Sequence, residues 1–231
     1  MAKTSKNKIS NLTHFCPCCG QYCSKFLDWS NTYKNVSCPS CGTQPRHRAL
    51  FLYLQKKPEI YQNNLKILHF APNLSLRKYL FSLSNLDYVT ADLNDSSVDM
   101  KVDITNIPYA DNSFDIILCS HVLEHVTDDR TAIHELFRIL KPGGWAFLAV
   151  PISDREKTFE DPNITSAKDR LRYFWQEDHV RLYGLDYKNR LEEAGFNVKA
   201  VKVGELFKKL SPKQIEKYGL DNRELLHFVT K

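Results

Sequence analysis

Val102-Asp103-Ile104-Thr105, then Ser113-Phe114-Asp115-Ile116-Ile117-Leu118-Cys119-Ser120-His121-Val122-Leu123-Glu124-His125-Val126, closed by Leu140-Lys141-Pro142-Gly143-Gly144, is the stretch whose reading decides the fold. It reads as an acid-tipped loop, a buried strand, a polar edge, a helix, a tight turn and a second buried strand. The strand from Phe114 to Cys119 is apolar apart from Asp115, as a parallel strand covered on both faces must be. Residues 131–140 carry Ile133, Leu136, Phe137 and Leu140, a helical stripe that stops at Lys141-Pro142-Gly143. Strand, helix and strand in that order build a doubly wound sheet, which takes ligands at the carboxyl ends of its strands.

The same alternation extends both ways. Residues 66–71 and 87–91 read as a first and a second strand, separated by a helix over 74–83, and a short third strand approaches Asp103. The fifth strand covers 145–150. A helix over 186–194 closed by Gly195, a strand over 196–203 and a last strand over 225–229 complete an α/β sheet of about seven strands, the final pair forming a hairpin with an antiparallel last strand.

Upstream, the chain changes character. Six of its seven cysteines fall between residues 16 and 41. Cys16-Pro17-Cys18-Cys19-Gly20 and Cys38-Pro39-Ser40-Cys41-Gly42 each hold a Cys-x-x-Cys pair followed by glycine, and 18 residues separate the pairs, the pattern of a four-thiolate zinc ribbon. The glycines permit the positive φ that a knuckle needs. Cys18 and Cys23 are spare sulfurs, but only Cys16 and Cys19 match both the spacing and the glycine, so the expected ligands are Cys16, Cys19, Cys38 and Cys41. Such a closed site stabilises folding and offers no open position for chemistry.

At 231 residues the chain accommodates one large core and one accessory module. The expected organisation is a disordered tail over 1–13, the ribbon over 14–44 and an α/β domain over 45–231, with Pro45 starting a helix that ends near Pro58. No apolar run is long enough to span a bilayer, and the basic, polar start is not followed by an apolar signal core, so the expected location is the cytoplasm, without a membrane role. A net charge of +5 permits an anionic partner without demanding one.

Candidate site residues gather at the strand ends. Asp92 ends the second strand, where a carboxylate can accept both hydroxyls of a ribose; the competing reading is a turn-capping Asp. Ser120 and His121 leave the fourth strand facing the same space, and His121 is either a general base or a histidine that lines the pocket at a helix start. Glu124 and His125 follow on the next turn, facing substrate or bridging to the sheet. The connection over 151–185 is too long to be a plain linker. Within it Asp178, His179, Arg181 and Tyr183 combine acid, base, anion clamp and aromatic wall; they either touch substrate or pin the loop. Arg46, His47 and Arg48 form an anion site or a solvated helix face.

These motifs resemble class I S-adenosylmethionine (SAM) dependent methyltransferases, particularly the small type 11-like methyltransferase domains with a His-Val-Leu-Glu-His segment, here His121 to His125. The resemblance implies a Rossmann-like fold and a SAM site in which Asp92 with Leu93 meets the ribose and Asp103 with Ile104 the adenine. His69, Ala71, Asn73, Ser120 and His121 complete that site. It departs from the broad family at His69-Phe70-Ala71-Pro72-Asn73, where a glycine-rich turn is usual, so a different loop path is expected. A smaller group, similar over nearly the whole chain, shares the Phe-Ala-Pro turn, the ribbon, the Arg-His-Arg helix and the Asp-His-Val-Arg-x-Tyr-Gly segment. In that group a glycine more often stands where this chain has Trp175, so the ring is expected to narrow a substrate pocket shared with Arg46, His47 and Arg181. Asp178, His179 and Tyr183 join His121 as candidate catalytic groups. The leading expectation is methyl transfer to oxygen or nitrogen of a small, sugar-like molecule. An RNA methyltransferase that grips RNA through the ribbon, with Phe26, Trp29 and Tyr33 beside Lys25 and Lys34, is the alternative, and a non-catalytic scaffold the third reading.

Overall fold

A computed structural model describes residues 12–29 and 33–231. Most of the expected tail therefore lies outside the described residues. In chain order the elements are β1 His14–Cys16, β2 Gln21–Cys23, α1 Pro45–Leu54, α2 Glu59–Gln62, β3 Leu65–Phe70, α3 Leu74–Phe81, β4 Leu86–Asp92, β5 Met100–Lys101 and β6 Phe114–Ser120. They continue with α4 Asp129–Ile139, β7 Leu140–Ala149, β8 Phe159–Glu160, α5 Ala167–Phe174, β9 Arg181–Leu182, α6 Tyr187–Glu193, β10 Asn197–Lys202, α7 Val203–Leu206, α8 Pro212–Tyr218 and β11 Leu225–Thr230. No helix among the described residues is long and apolar enough to cross a membrane.

The chain divides into two compact units. The first comprises residues 1–62, 73–84 and 202–224, and the second 63–72, 85–201 and 225–231. The cysteine segment thus shares a unit with α1, α3 and the two short helices α7 and α8, which lie between the two strands of the expected hairpin.

The second unit is built on a seven-stranded sheet of order β10-β11-β7-β6-β3-β4-β5. Strands β3, β4, β5, β6 and β7 run parallel to their partners in that order, and β11 lies antiparallel to β7. The expected α/β sheet with an antiparallel last strand is thus present. β6 sits between β3 and β7 with Ile116, Ile117, Leu118 and Cys119 buried, so its apolar run is what a strand covered on both faces requires. Helix α4 starts at Asp128, whose carboxylate accepts from the Thr131 amide, and buries Ala132, Ile133, Leu136 and Ile139 on one stripe.

The Lys141-Pro142-Gly143-Gly144 segment is not the tight turn expected between α4 and a strand. Phe114 faces Leu140 and Ile116 faces Trp145, so residues 141–144 bulge out of β7 at its start. Gly143 takes φ +79°, and a Cβ on Gly144 would stand 2.7 Å from the Asp115 carbonyl oxygen. Asp115 in turn fixes the bulge through Lys141 Nζ at 2.8 and 2.9 Å.

In this order the chain enters the sheet at β3, adds β4 and β5 on one side, then returns to place β6 and β7 on the other. The strand order therefore reverses between β3 and β6, and the crevice at their carboxyl ends is where an open α/β sheet receives its ligand.

Candidate active site and four-thiol cluster

Both strands that flank the reversal end in a left-handed residue other than glycine. Ala71 follows β3 with φ +44°, and His121 follows β6 with φ +57°. An L residue in this region costs about 1–2 kcal/mol, and such strain gathers at functional sites. Ala71 thus takes, with a Cβ, the left-handed region that glycine adopts without strain. The Ala71 amide donates to the Ala91 carbonyl at 2.9 Å and the His121 amide to the Ala149 carbonyl at 2.8 Å, which ties each bend to the neighbouring strand.

Around these bends stand the expected acids. Asp92, at the end of β4, accepts through Oδ1 from the amides of Asn94 and Asp95 at 2.7 and 2.9 Å, so its loop is held tight. Leu93 beside it is 58% exposed, an apolar side chain left open next to the acid. Asp103, exposed beyond β5, accepts through Oδ1 from the amide and hydroxyl of Thr105, while Ile104 is buried in the main core. Ser120 closes β6 with a buried Oγ that has no hydrogen-bond partner. An orphaned buried hydroxyl at the reversal point fits a missing ligand group.

Two expected cofactor contacts take other roles. His69 is only 2% exposed and its Nδ1 meets the Tyr88 hydroxyl at 2.8 Å, so it is a core side chain whose basicity burial pushes down to about 3. Asn73 caps α3 by accepting from the Ser75 amide at 3.0 Å.

The segment after His121 is a single 3-10 turn over Leu123–His125 and not a longer helix. Glu124 there is fully buried, with Oε1 3.2 Å from His121 Nδ1. Burial works to raise its pKa, but the positive charge and hydrogen bonding of His121 outweigh it and hold the carboxyl below the usual range.

The segment around β9 carries the residues expected to touch substrate, and two of them, Arg181 and Tyr183, pin the loop. Arg181 is 3% exposed. Its guanidinium donates to the carbonyls of Leu123 at 2.9 Å, Val126 and Thr127 at 2.8 Å, and to Glu160 at 2.9 Å. No donor face is left to clamp an anion, because the arginine is committed to the backbone of the 123–127 turn. Tyr183 is fully buried and donates to Asp129 at 2.6 Å, so it neither walls a pocket nor carries a catalytic proton. Asp129 also pairs with Arg190 at 2.9 Å, and Arg190 with the exposed Glu160 at 2.8 Å, a network with a buried centre that joins α4, α6 and β8 and has no signal in the sequence.

His179 and Asp178 do reach the turn. Val180 donates its amide to the Glu124 carbonyl at 2.9 Å, which brings the His179 ring edge-on to His125 with centroids 4.7 Å apart, and Asp178 Oδ2 lies 3.2 Å from His125 Nδ1. Trp175 is the left-handed cap of α5, with φ +73° and 40% exposure, the conformation in which helices favour glycine.

In the first unit, Cys16, Cys19, Cys38 and Cys41 converge, with Sγ separations of 3.6 Å for Cys16–Cys41 and 3.8 Å for Cys19–Cys38. A tetrahedron of sulfurs about 2.3 Å from zinc has edges of about 3.8 Å, so the cluster has the size of that ion. Gly20 and Gly42 both take φ +69°, letting their amides return to the Cys16 and Cys38 carbonyls at 2.9 and 2.8 Å. Cys18 instead donates to the His47 carbonyl, and Cys23 is buried beside the cluster.

Helix α1 supports this cluster and its basic residues face inward. Arg48 is fully buried, with its guanidinium 4.1 Å from the centroid of Phe26, and donates to the carbonyls of Thr43, Val36 at 3.0 Å and Gly219 at 2.6 Å. Gly219 caps α8 at φ +59°, and a Cβ there would lie 2.2 Å from the Phe26 ring. Arg46 donates to the Gln44 side chain, and His47 accepts from the Gln44 amide at 3.1 Å, closing the cap of α1. The expected anion-binding face is therefore largely a capping and bracing device.

Residues 74–148 match the family described as methyltransferase domain. Among curated proteins, the chain is 36% identical over 128 residues to the ubiquinone/menaquinone biosynthesis C-methyltransferase UbiE of Haemophilus ducreyi, covering 49% of this chain and 45% of that protein. The chain spans between 19% and 57% of the length of the first curated relatives it matches. Among solved structures, a chain of the Haloferax volcanii complex of the Trm112 methyltransferase activator with a methyltransferase superposes with TM-score 0.53 at 16% identity, covering 80% of this chain and 90% of that one. An S-adenosylmethionine dependent methyltransferase from Mesorhizobium loti gives TM-score 0.51 at 15% identity, over 79% and 98%. The fold is that of the Rossmann-like SAM-dependent methyltransferases, and the matched segment runs from the start of α3 to the end of β7.

Proposed function

We propose that the protein is a SAM-dependent methyltransferase acting on a small molecule. The observation that carries this reading is the paired left-handed bend, Ala71 and His121, at the strand reversal, with the unpartnered, buried Ser120 hydroxyl at the end of β6. Asp92 with Leu93 would meet the ribose hydroxyls, and Asp103 with Ile104 the adenine, the carboxylate toward its amine. SAM, when bound, supplies an activated methyl group. The chain's own contribution is alignment and exclusion of water, since an in-line transfer needs nucleophile and methyl held about 3–3.5 Å apart. His121, next to the buried Glu124 carboxylate, would take the proton of a hydroxyl or amine acceptor.

The acceptor atom in this proposal is oxygen or nitrogen of a small, sugar-like metabolite. The likeness to UbiE supports carbon as a second reading, since that relative is named a C-methyltransferase. The four thiols would hold a structural Zn2+, a closed site that braces the first unit. The domain reading that accompanies this proposal keeps a ribbon over 14–44 ahead of the methyltransferase region over 45–231, with the 151–185 segment facing the acceptor.

Titration calorimetry with SAM and with its demethylated product tests the reading. Saturable binding is expected, and Asp92→Ala should weaken it about 10- to 100-fold, the worth of a charge-assisted hydrogen bond. No heat at high micromolar ligand would remove the enzyme reading. Steeply salt-dependent RNA binding would replace the small-molecule acceptor with RNA.

A further inference from the structure

We propose that Glu124, His125 and His179 form a binding site for a divalent transition-metal ion at the carboxyl end of β6, separate from the four thiols. One ligand atom from each of the three lies within 4.8 Å of the others. Bonds of about 2.0–2.2 Å set neighbouring ligands about 3.3–3.6 Å apart around a tetrahedral ion, so inward side-chain shifts of up to about 0.8 Å each close the site.

The hydrogen bonds around the two imidazoles define which nitrogen is available. His179 Nδ1 lies 2.8 Å from the Phe174 carbonyl oxygen, which can only accept, so that nitrogen carries the proton. His125 Nδ1 faces the Asp178 carboxylate at 3.2 Å. In both rings the lone pair is therefore left on Nε2, the arrangement in which carboxylate or carbonyl partners orient metal-binding histidines. The two rings lie edge to face with centroids 4.7 Å apart.

Glu124 provides the independent observation. Its side chain is fully buried, and its one close charged neighbour is His121, whose Nδ1 lies 3.2 Å from Oε1. A buried carboxylate needs compensating charge, and one oxygen of this one also lies within reach of His125 and His179. A divalent ion would add that charge. Two neutral imidazoles with one carboxylate suit zinc, iron(II), cobalt(II) or manganese, and they leave coordination positions open, unlike four thiolates. Arg181 and Val180 fix the turn that carries Glu124 and His125, which explains why so many buried donors are spent on five residues of backbone. The further step, that an open position receives an oxygen of the methyl acceptor, rests on the methyltransferase reading; the site itself does not.

The test uses the full chain, stripped of metal and reloaded with Co2+. Wild type is expected to bind two equivalents, one with the intense near-ultraviolet thiolate band and one with only the weak visible bands of nitrogen and oxygen ligands. His179→Asn and His125→Asn should each lose the second equivalent and keep the thiolate band, which also reports that the first unit has folded. Asp178→Asn, at an exposed position, should weaken the second equivalent about 10- to 100-fold without removing it, as loss of an orienting partner does. Saturation at the thiolate equivalent alone, or a second equivalent that survives both histidine substitutions, would overturn the site. Failure to bind SAM would leave the cobalt stoichiometry unchanged, so the two proposals fail separately.

Discussion

The two clusters of ligating side chains are built in opposite ways around the same device. In the first unit, four thiols arrive in pairs along one short segment, and the buried Arg48 ties the chain beside them to α8 through three carbonyls. In the second, Glu124 and His125 come from a turn after β6 and His179 from fifty residues later, and the buried Arg181 ties that turn down through three carbonyls of its own. Four thiols would close around an ion and leave no position over. Two imidazoles and one buried carboxylate, drawn from across the fold, would leave room for a further ligand, which is what chemistry needs.

The sharpest way to break the comparison is to remove a ligand from each side. Cys38→Ser is expected to have the largest effect. A structural zinc site contributes about 10–16 kcal/mol of apparent binding energy in small zinc modules, so its loss should unfold the first unit, read as proteolysis within residues 12–62 and a lost thiolate band. His125→Asn should leave the melting temperature within a few degrees of wild type. Equal destabilisation by both would mean that the second cluster is structural too.

The two arginines come next. Arg48→Met and Arg181→Met each strand three carbonyls, and about 3–5 kcal/mol of stability should be lost in denaturant unfolding. They should differ in consequence. Arg48→Met leaves a four-thiolate site, net negative once it holds zinc, without its buried cation and should weaken metal retention there, whereas Arg181→Met should lose the second cobalt equivalent and spare the first.

What was readable in the sequence follows the same division. The knuckles, the parallel strands and the acids at their ends are set by short-range patterns, and the structure has them within a few residues of where those patterns fall. The readings that failed concern long-range burial. Arg181 and Tyr183 look like a clamp and a wall because charge and hydroxyl usually mean surface, and only the fold shows them spent on the 123–127 carbonyls and Asp129. Lys141-Pro142-Gly143 looks like a turn because proline and glycine make turns, but pairing with β6 draws it into a bulge. The role of Glu124 had no local signal beyond an acid in an apolar turn.

Buried titratable groups give the units opposite pH responses. In the first, burial pushes Glu224 up to about 7, so the folded state holds a proton that the unfolded chain releases near 4.5. Stability therefore falls as pH rises between those values, by at most about 3 kcal/mol, and Glu224→Gln should recover it at pH 8. In the second, burial pushes His227 down to about 4, so the unfolded chain binds a proton from about 6.5 that the folded state refuses. Stability falls as pH drops through that window, again by at most about 3 kcal/mol, and His227→Gln should flatten the acid limb of a pH series of denaturant midpoints.

The smallest expected effect bears on the reversal point itself. Ala71→Gly removes the Cβ penalty at φ +44° but adds chain entropy to the unfolded state, and the two nearly cancel, leaving stability within about 1 kcal/mol of wild type. The informative readout is SAM affinity. If Ala71 already holds the left-handed bend that glycine supplies elsewhere, the substitution should leave binding within a few-fold. A large gain would mean that the methyl at Ala71 obstructs the ligand, and that the glycine-free turn weakens the site it helps to shape.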